Sequence, residues 1–140
     1  MIKGFAAVFA AFLGTLCAEV LPLCVLEFDN GFKIDKLPQA NTPKTMQKGL
    51  SNLDDIGTGM IFTWSKSQQL SFWMKDTRVA LSIGFFDENG ELFQIEDMQP
   101  YSLLPHRSVK EGKNALELKQ GDFKKHNITI GAKITKLECK

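Results

Sequence analysis

Two Asn-Gly steps constrain this chain more than any other feature. Asn30-Gly31 lies between the alternating runs Val25–Phe28 and Phe32–Asp35. Asn89-Gly90 closes Asp87–Gly90 between Val79–Phe86 and Glu91–Glu96. A tight hairpin turn needs positive φ at both central residues, so each step predicts a hairpin. Met60–Trp64, Asn114–Lys119 and Ala132–Leu137 read as further short strands. Leu37–Ala40 is expected to leave the sheet and Ser65–Gln68 to turn the chain. Helical signals are brief. Thr42 and Pro43 suit an N-cap and a first helical position, with Met46 and Leu50 on one face. Asp122 is read as the N-cap of a second short piece. Gly84, inside an apolar strand, is expected to mark a bulge or the close approach of another group. Turn signals at intervals of about 8–12 residues predict a mainly β fold: a compact antiparallel sandwich or barrel with one or two short helices.

The 140 residues suit a single domain, and charge excludes one function class. The formal net charge is +1 with no basic stripe, so no nucleic-acid partner is expected. There are 11 Phe against one Tyr, which predicts a Phe-rich core. Lys3 followed by the apolar run Phe5–Leu16 fits a secretory signal peptide over residues 1–18, with cleavage near Ala18. Residues 19–140 are then the mature β domain, periplasmic or secreted. If uncleaved, residues 4–16 would anchor the protein in the membrane, the one membrane contact expected. Lipidation at Cys17 is disfavoured by the bulky Leu16 before it. The mature chain keeps Cys24 and Cys139, and two cysteines in an exported chain predict a disulfide. It would close a loop of about 115 residues, on the order of 4–5 kcal/mol in the chain-entropy account.

The stretch Gln69–Thr77 holds the densest motif, Ser71-Phe72-Trp73-Met74-Lys75-Asp76-Thr77. Read as a central strand, it places Phe72, Met74 and Asp76 on one face and Trp73, Lys75 and Thr77 on the other. Phe72 and Met74 then face the core. Trp73 and Lys75 are left side by side, either as a sticky rimmed surface or packed with the lysine stem along the indole.

This motif resembles the Ser-Phe-Trp-Met-Lys-Asn-Thr signature of the domain of unknown function 192 family, with Asp76 in place of Asn. The resemblance runs from about Val25 to Ile134. Met60-Ile61-Phe62 is similar to the family's Met-Leu-Phe strand, Leu81–Asp87 to the next strand and Gly90 to its turn. Ile95–Pro100 is similar to the approach to its variable loop, and Ala115–Gly131 to its closing segment. Lys48-Gly49-Leu50-Ser51 departs from an Arg-Gly-Leu-Met pattern. The resemblance implies a mainly β jelly roll or barrel and no established substrate.

Candidate chemistry is sparse. His106 and His126 adjoin no nucleophile elbow, and no catalytic residue is assigned. No paired Cys or His spacing marks a metal site. Met60, Met74, Met98 and His106 could hold Cu(I), but methionines on strands more often fill cores; no metal or cofactor is expected. The candidate ligand-binding set is Trp73, Lys75, Asp76, Thr77, Glu96 and Met98, closed by the Glu96–His106 loop. The leading expectation is an exported module that binds a small ligand or an envelope protein without chemistry. The alternatives are a small hydrolase-like enzyme using Asp76 and Glu96, or a structural envelope protein.

Overall fold

A computed structural model describes residues 19–140. The expected leader, its cleavage step and Cys17 lie outside the described residues. Nine strands and two short helices follow in the order β1 (Leu23–Phe28), β2 (Lys33–Ala40), α1 (Pro43–Lys48), β3 (Met60–Gln68), β4 (Ser71–Phe72), β5 (Leu81–Phe86), β6 (Leu92–Met98), β7 (His106–Arg107), β8 (Gly112–Lys119), α2 (Asp122–Lys125) and β9 (Ile134–Cys139). Seven of them form one curled sheet, a half-barrel, in the order β6-β5-β8-β3-β2-β1-β9; β4 and β7 form a separate two-stranded ladder. The fold is mainly β, as the turn spacing predicts.

Both faces of the sheet are covered, and strand alternation sorts the core into two clusters. Ile61, Leu116 and Leu118 point into one, with Leu26, Phe28, Leu37, Phe86 and Phe123. Phe62, Ala115, Leu81, Ile83 and Phe85 point into the other, with Leu70, Met74 and Met98. Gly84 is a close approach. A Cβ there would lie 2.8 Å from Cζ of Phe123, so the absent side chain lets α2 lie directly on β5.

The hairpin β1–β2 forms around Asn30-Gly31, and Gly31 has φ +85°. Asn30 does more than turn: its amide donates to the carbonyls of His126 and Asn127, both at 3.0 Å, tying the turn to the end of α2. The helix α1 carries a full capping box between Thr42 and Thr45, with Pro43 at its first position. Cys24 pairs with Cys139 across β1 and β9, and the two are joined as a disulfide.

Four local expectations are corrected. Leu37–Ala40 stays in the sheet: Lys36 at φ 54° kinks β2, and Gln39 and Ala40 then pair in parallel with Ile61 and Phe62. That pair makes the sheet mixed rather than wholly antiparallel. Ser65–Gln68 continues β3 through an irregular register, and Gln68 pairs with Gly112. Asp122 is not a cap: Gly121, left-handed at φ 92°, takes that position without a side-chain bond. The expected central strand Ser71–Thr77 is a strand only at Ser71 and Phe72, and it lies outside the main sheet. The strand at the middle of the seven-stranded sheet is β3, between β8 and β2.

Candidate functional site

The chain stops being a strand after Phe72 because it turns on itself. Asp76 adopts φ 55°, which aspartate tolerates better than most residues, and the Thr77 amide bonds back to the Met74 carbonyl at 3.1 Å. The turn is held from two sides. Met74 N–H donates to Ser102 O at 2.9 Å and Tyr101 N–H to Thr77 O at 3.1 Å; Asn52 N–H reaches Asp76 O at 2.8 Å. Ser108, buried, fixes the entry by accepting from Leu70 N–H at 2.9 Å. Met74 fills the core beneath. Trp73 is left 50 % exposed, and the Lys75 ammonium stands 5.5 Å from its ring centroid, a cation–π geometry.

Beside this turn lies a cavity of about 240 Å³ that Trp73, Lys75 and Thr77 line together. Its aromatic wall is built from Phe62, Trp64, Phe72 and Trp73. Phe72 stands edge-on to both Phe62, at 4.9 Å, and Trp64, at 6.1 Å, so the wall is a packed unit rather than loose rings. The end of α1 closes another side through Met46, Lys48 and Gly49. Gly49 supplies the positive φ of 48° at this helix end, and a Cβ there would stand at ordinary contact distance, 3.5 Å, from the Phe62 ring.

The remaining wall contributes the residue that sequence reasoning missed. Glu117 lies on β8, directly opposite Met60 on β3 and Ile83 on β5. It is 4 % exposed and lines the same cavity. Among the described residues no hydrogen-bond donor reaches its carboxyl, and burial alone pushes its pKa up to about 8. Burial thus favours the neutral form of Glu117, a donor as well as an acceptor. Carboxylates are almost never buried unpaired without reason.

The rest of the candidate set lies elsewhere. Asp76 is exposed on its turn and does not line the cavity. Glu96 sits on the edge strand β6, where it accepts from Gln94 at 3.1 Å and stands 3.8 Å from Nδ1 of His106. Met98 is fully buried in the core with Met74. The neighbouring Asp97 accepts from Ser82 Oγ at 2.6 Å. Among the described residues no cluster of three or more His, Cys, Asp or Glu could hold a metal ion.

Known proteins sharpen the fold more than the chemistry. A crystal structure from Sinorhizobium meliloti 1021, of a protein provisionally labelled a transcription regulator, superposes with a TM-score of 0.74 at 25% identity. It covers 87% of this chain and 98% of that one. A protein of unknown function from Novosphingobium aromaticivorans DSM 12444 superposes with a TM-score of 0.73 at 24% identity, over 82% of this chain and 84% of the other. No curated protein matches the chain. The DUF192 family profile, described as an uncharacterized ACR family, matches residues 25–136. With its signature segment forming one wall of the cavity, the chain belongs to the domain of unknown function 192 family.

Proposed function

We propose that this protein is a small exported binding domain that holds a small polar ligand in the Trp73–Glu117 cavity. One observation carries the reading: a half-exposed indole with an ammonium over it opens onto a cavity that also contains a buried, unpaired carboxyl. A few convergent polar groups within an apolar, largely pre-formed concavity are the usual make-up of a ligand site. Lys75 supplies an exposed polar group, and the buried Thr77 and Glu117 supply polar groups inside. A regulator of transcription, the label carried by the Sinorhizobium protein, finds no support in a net charge of +1 without a basic stripe.

Export is supported by Lys3 with the apolar run Phe5–Leu16 and by the disulfide Cys24–Cys139, a bond that oxidising compartments favour. N-terminal sequencing of protein from a periplasmic fraction is expected to begin at Glu19; a cytoplasmic chain beginning at Met1 would contradict export.

Binding is tested by native mass spectrometry against a library of small polar metabolites. Wild type is expected to retain an adduct that Trp73→Ala loses. Equal retention by both proteins, or no adduct with either, would remove this reading.

A further inference from the structure

The charges around the cavity are arranged by sign. Glu117 is the acid, buried inside. Lys48 and Lys75 also line the space, and both are exposed, so they stand at its mouth. The aromatic wall lines the same space. A volume of about 240 Å³ is below the roughly 300–1,000 Å³ of sites for drug-sized ligands, so the occupant is of amino-acid size.

Each simple ligand class leaves one part of this arrangement unused. A neutral sugar would stack on Trp73 and bond the Glu117 carboxyl but leave both lysine charges unmatched. A simple anion would meet the two lysines and leave the aromatic wall unused. A simple cation would suit Glu117 and the rings, but must sit behind two ammonium groups. The Glu117 side chain lines the cavity, and a ligand donor seated there would give its carboxyl a partner. Ring faces attract organic ammonium groups strongly when water is excluded.

We propose that the cavity takes a small zwitterion, its ammonium seated against Glu117 among the aromatic rings and its anionic group held by Lys48 and Lys75. This rests on the binding reading above and adds the class of ligand. One linkage follows from it. Glu117 is protonated in the empty site up to about pH 8 and must ionise to pair with an ammonium. Its proton then passes to solvent as the ligand enters. Binding therefore tightens as pH rises towards 8.

Calorimetry of the purified protein tests this with glycine betaine, the neutral amino acids, tetramethylammonium, acetate and methyl glucoside. Buffers of different ionisation heat reveal the proton. At least one zwitterion is expected to bind tenfold or more tighter than tetramethylammonium or acetate, on the order of what one added charge contact supplies, and to release a proton at pH 7. Glu117→Gln, checked for folding by circular dichroism, is expected to abolish the proton release and weaken binding about tenfold or more. Lys75→Ala is expected to weaken the zwitterion and, by removing a like charge, to leave tetramethylammonium no weaker. A zwitterion affinity unaltered in Glu117→Gln overturns the proposal, as does the absence of zwitterion binding. Methyl glucoside binding that survives Glu117→Gln but not Trp73→Ala would overturn the zwitterion and leave the binding reading standing. The mass-spectrometric comparison of wild type with Trp73→Ala decides that reading independently.

Discussion

The two faces of β8 are one strand with two assignments. Leu116 and Leu118 point into a sealed apolar cluster with Leu26, Phe28 and Phe123. Ala115 and Glu117 point the other way, where a cavity interrupts the packing. The first face packs its two leucines among apolar residues and is closed at its rim by the disulfide between β1 and β9. The second accepts an acid in the middle of a sheet and leaves it unpaired. A residue there that only filled space would be apolar, because a buried polar group without a partner costs about 1–3 kcal/mol. The difference separates the part of the sheet that holds the fold from the part that stability alone does not explain.

Perturbing the two faces should give opposite kinds of result. The largest effect is expected at the sealed edge. Replacing both Cys24 and Cys139 by Ser opens a loop spanning 115 residues. Denaturant unfolding is expected to show a loss of about 4–5 kcal/mol. Leu116→Ala, on the sealed face, removes a fully buried side chain and should cost about 2–5 kcal/mol in the same measurement, whatever the pH.

Glu117 should behave differently, and the sign can be worked out. Its carboxyl ionises near 4.5 when unfolded and near 8 when folded. Between those values the native state holds the extra proton, so stability falls as pH rises through the window. The stabilisation is complete below about pH 4.5 and gone above about pH 8, a change on the order of 5 kcal/mol. Glu117→Gln should flatten that dependence and unfold no more easily than wild type at pH 8. A wild-type stability that is level from pH 5 to 8 would erase the contrast between the faces. The smallest stability effect is expected at Trp73→Ala. Its half-exposed ring contributes about 1 kcal/mol or less to folding, while any ligand bound in the cavity is lost.

What the sequence made legible follows from which signals are local. The Asn30-Gly31 and Asn89-Gly90 turns act within four residues, and both hairpins lie where they were expected. The cap at Thr42 is equally local. Trp73, Lys75 and Thr77 were singled out together and line one cavity, although no strand runs through them. Thr77 gets there by a turn at Asp76, and no alternation rule contains that turn. Lys36 and Pro38 misled for a related reason, since a left-handed residue bends a strand without ending it. Glu117 escaped notice because Leu-Glu-Leu reads as a strand with its polar residue in water. It is buried because helices, turns and loops cover the sheet on both sides, which is a tertiary fact. The available hint was the run Ala115-Leu116-Glu117-Leu118, too apolar on both faces for a strand with one side wetted.

The most direct measurement is a carbon-13 NMR titration of the Glu117 side-chain carboxyl in the folded, ligand-free protein. A midpoint near pH 8, moving downward when a zwitterion is added, is the expected result. A midpoint in the ordinary carboxylate range, indifferent to added ligand, would contradict the idea that this acid waits unpaired inside a binding cavity.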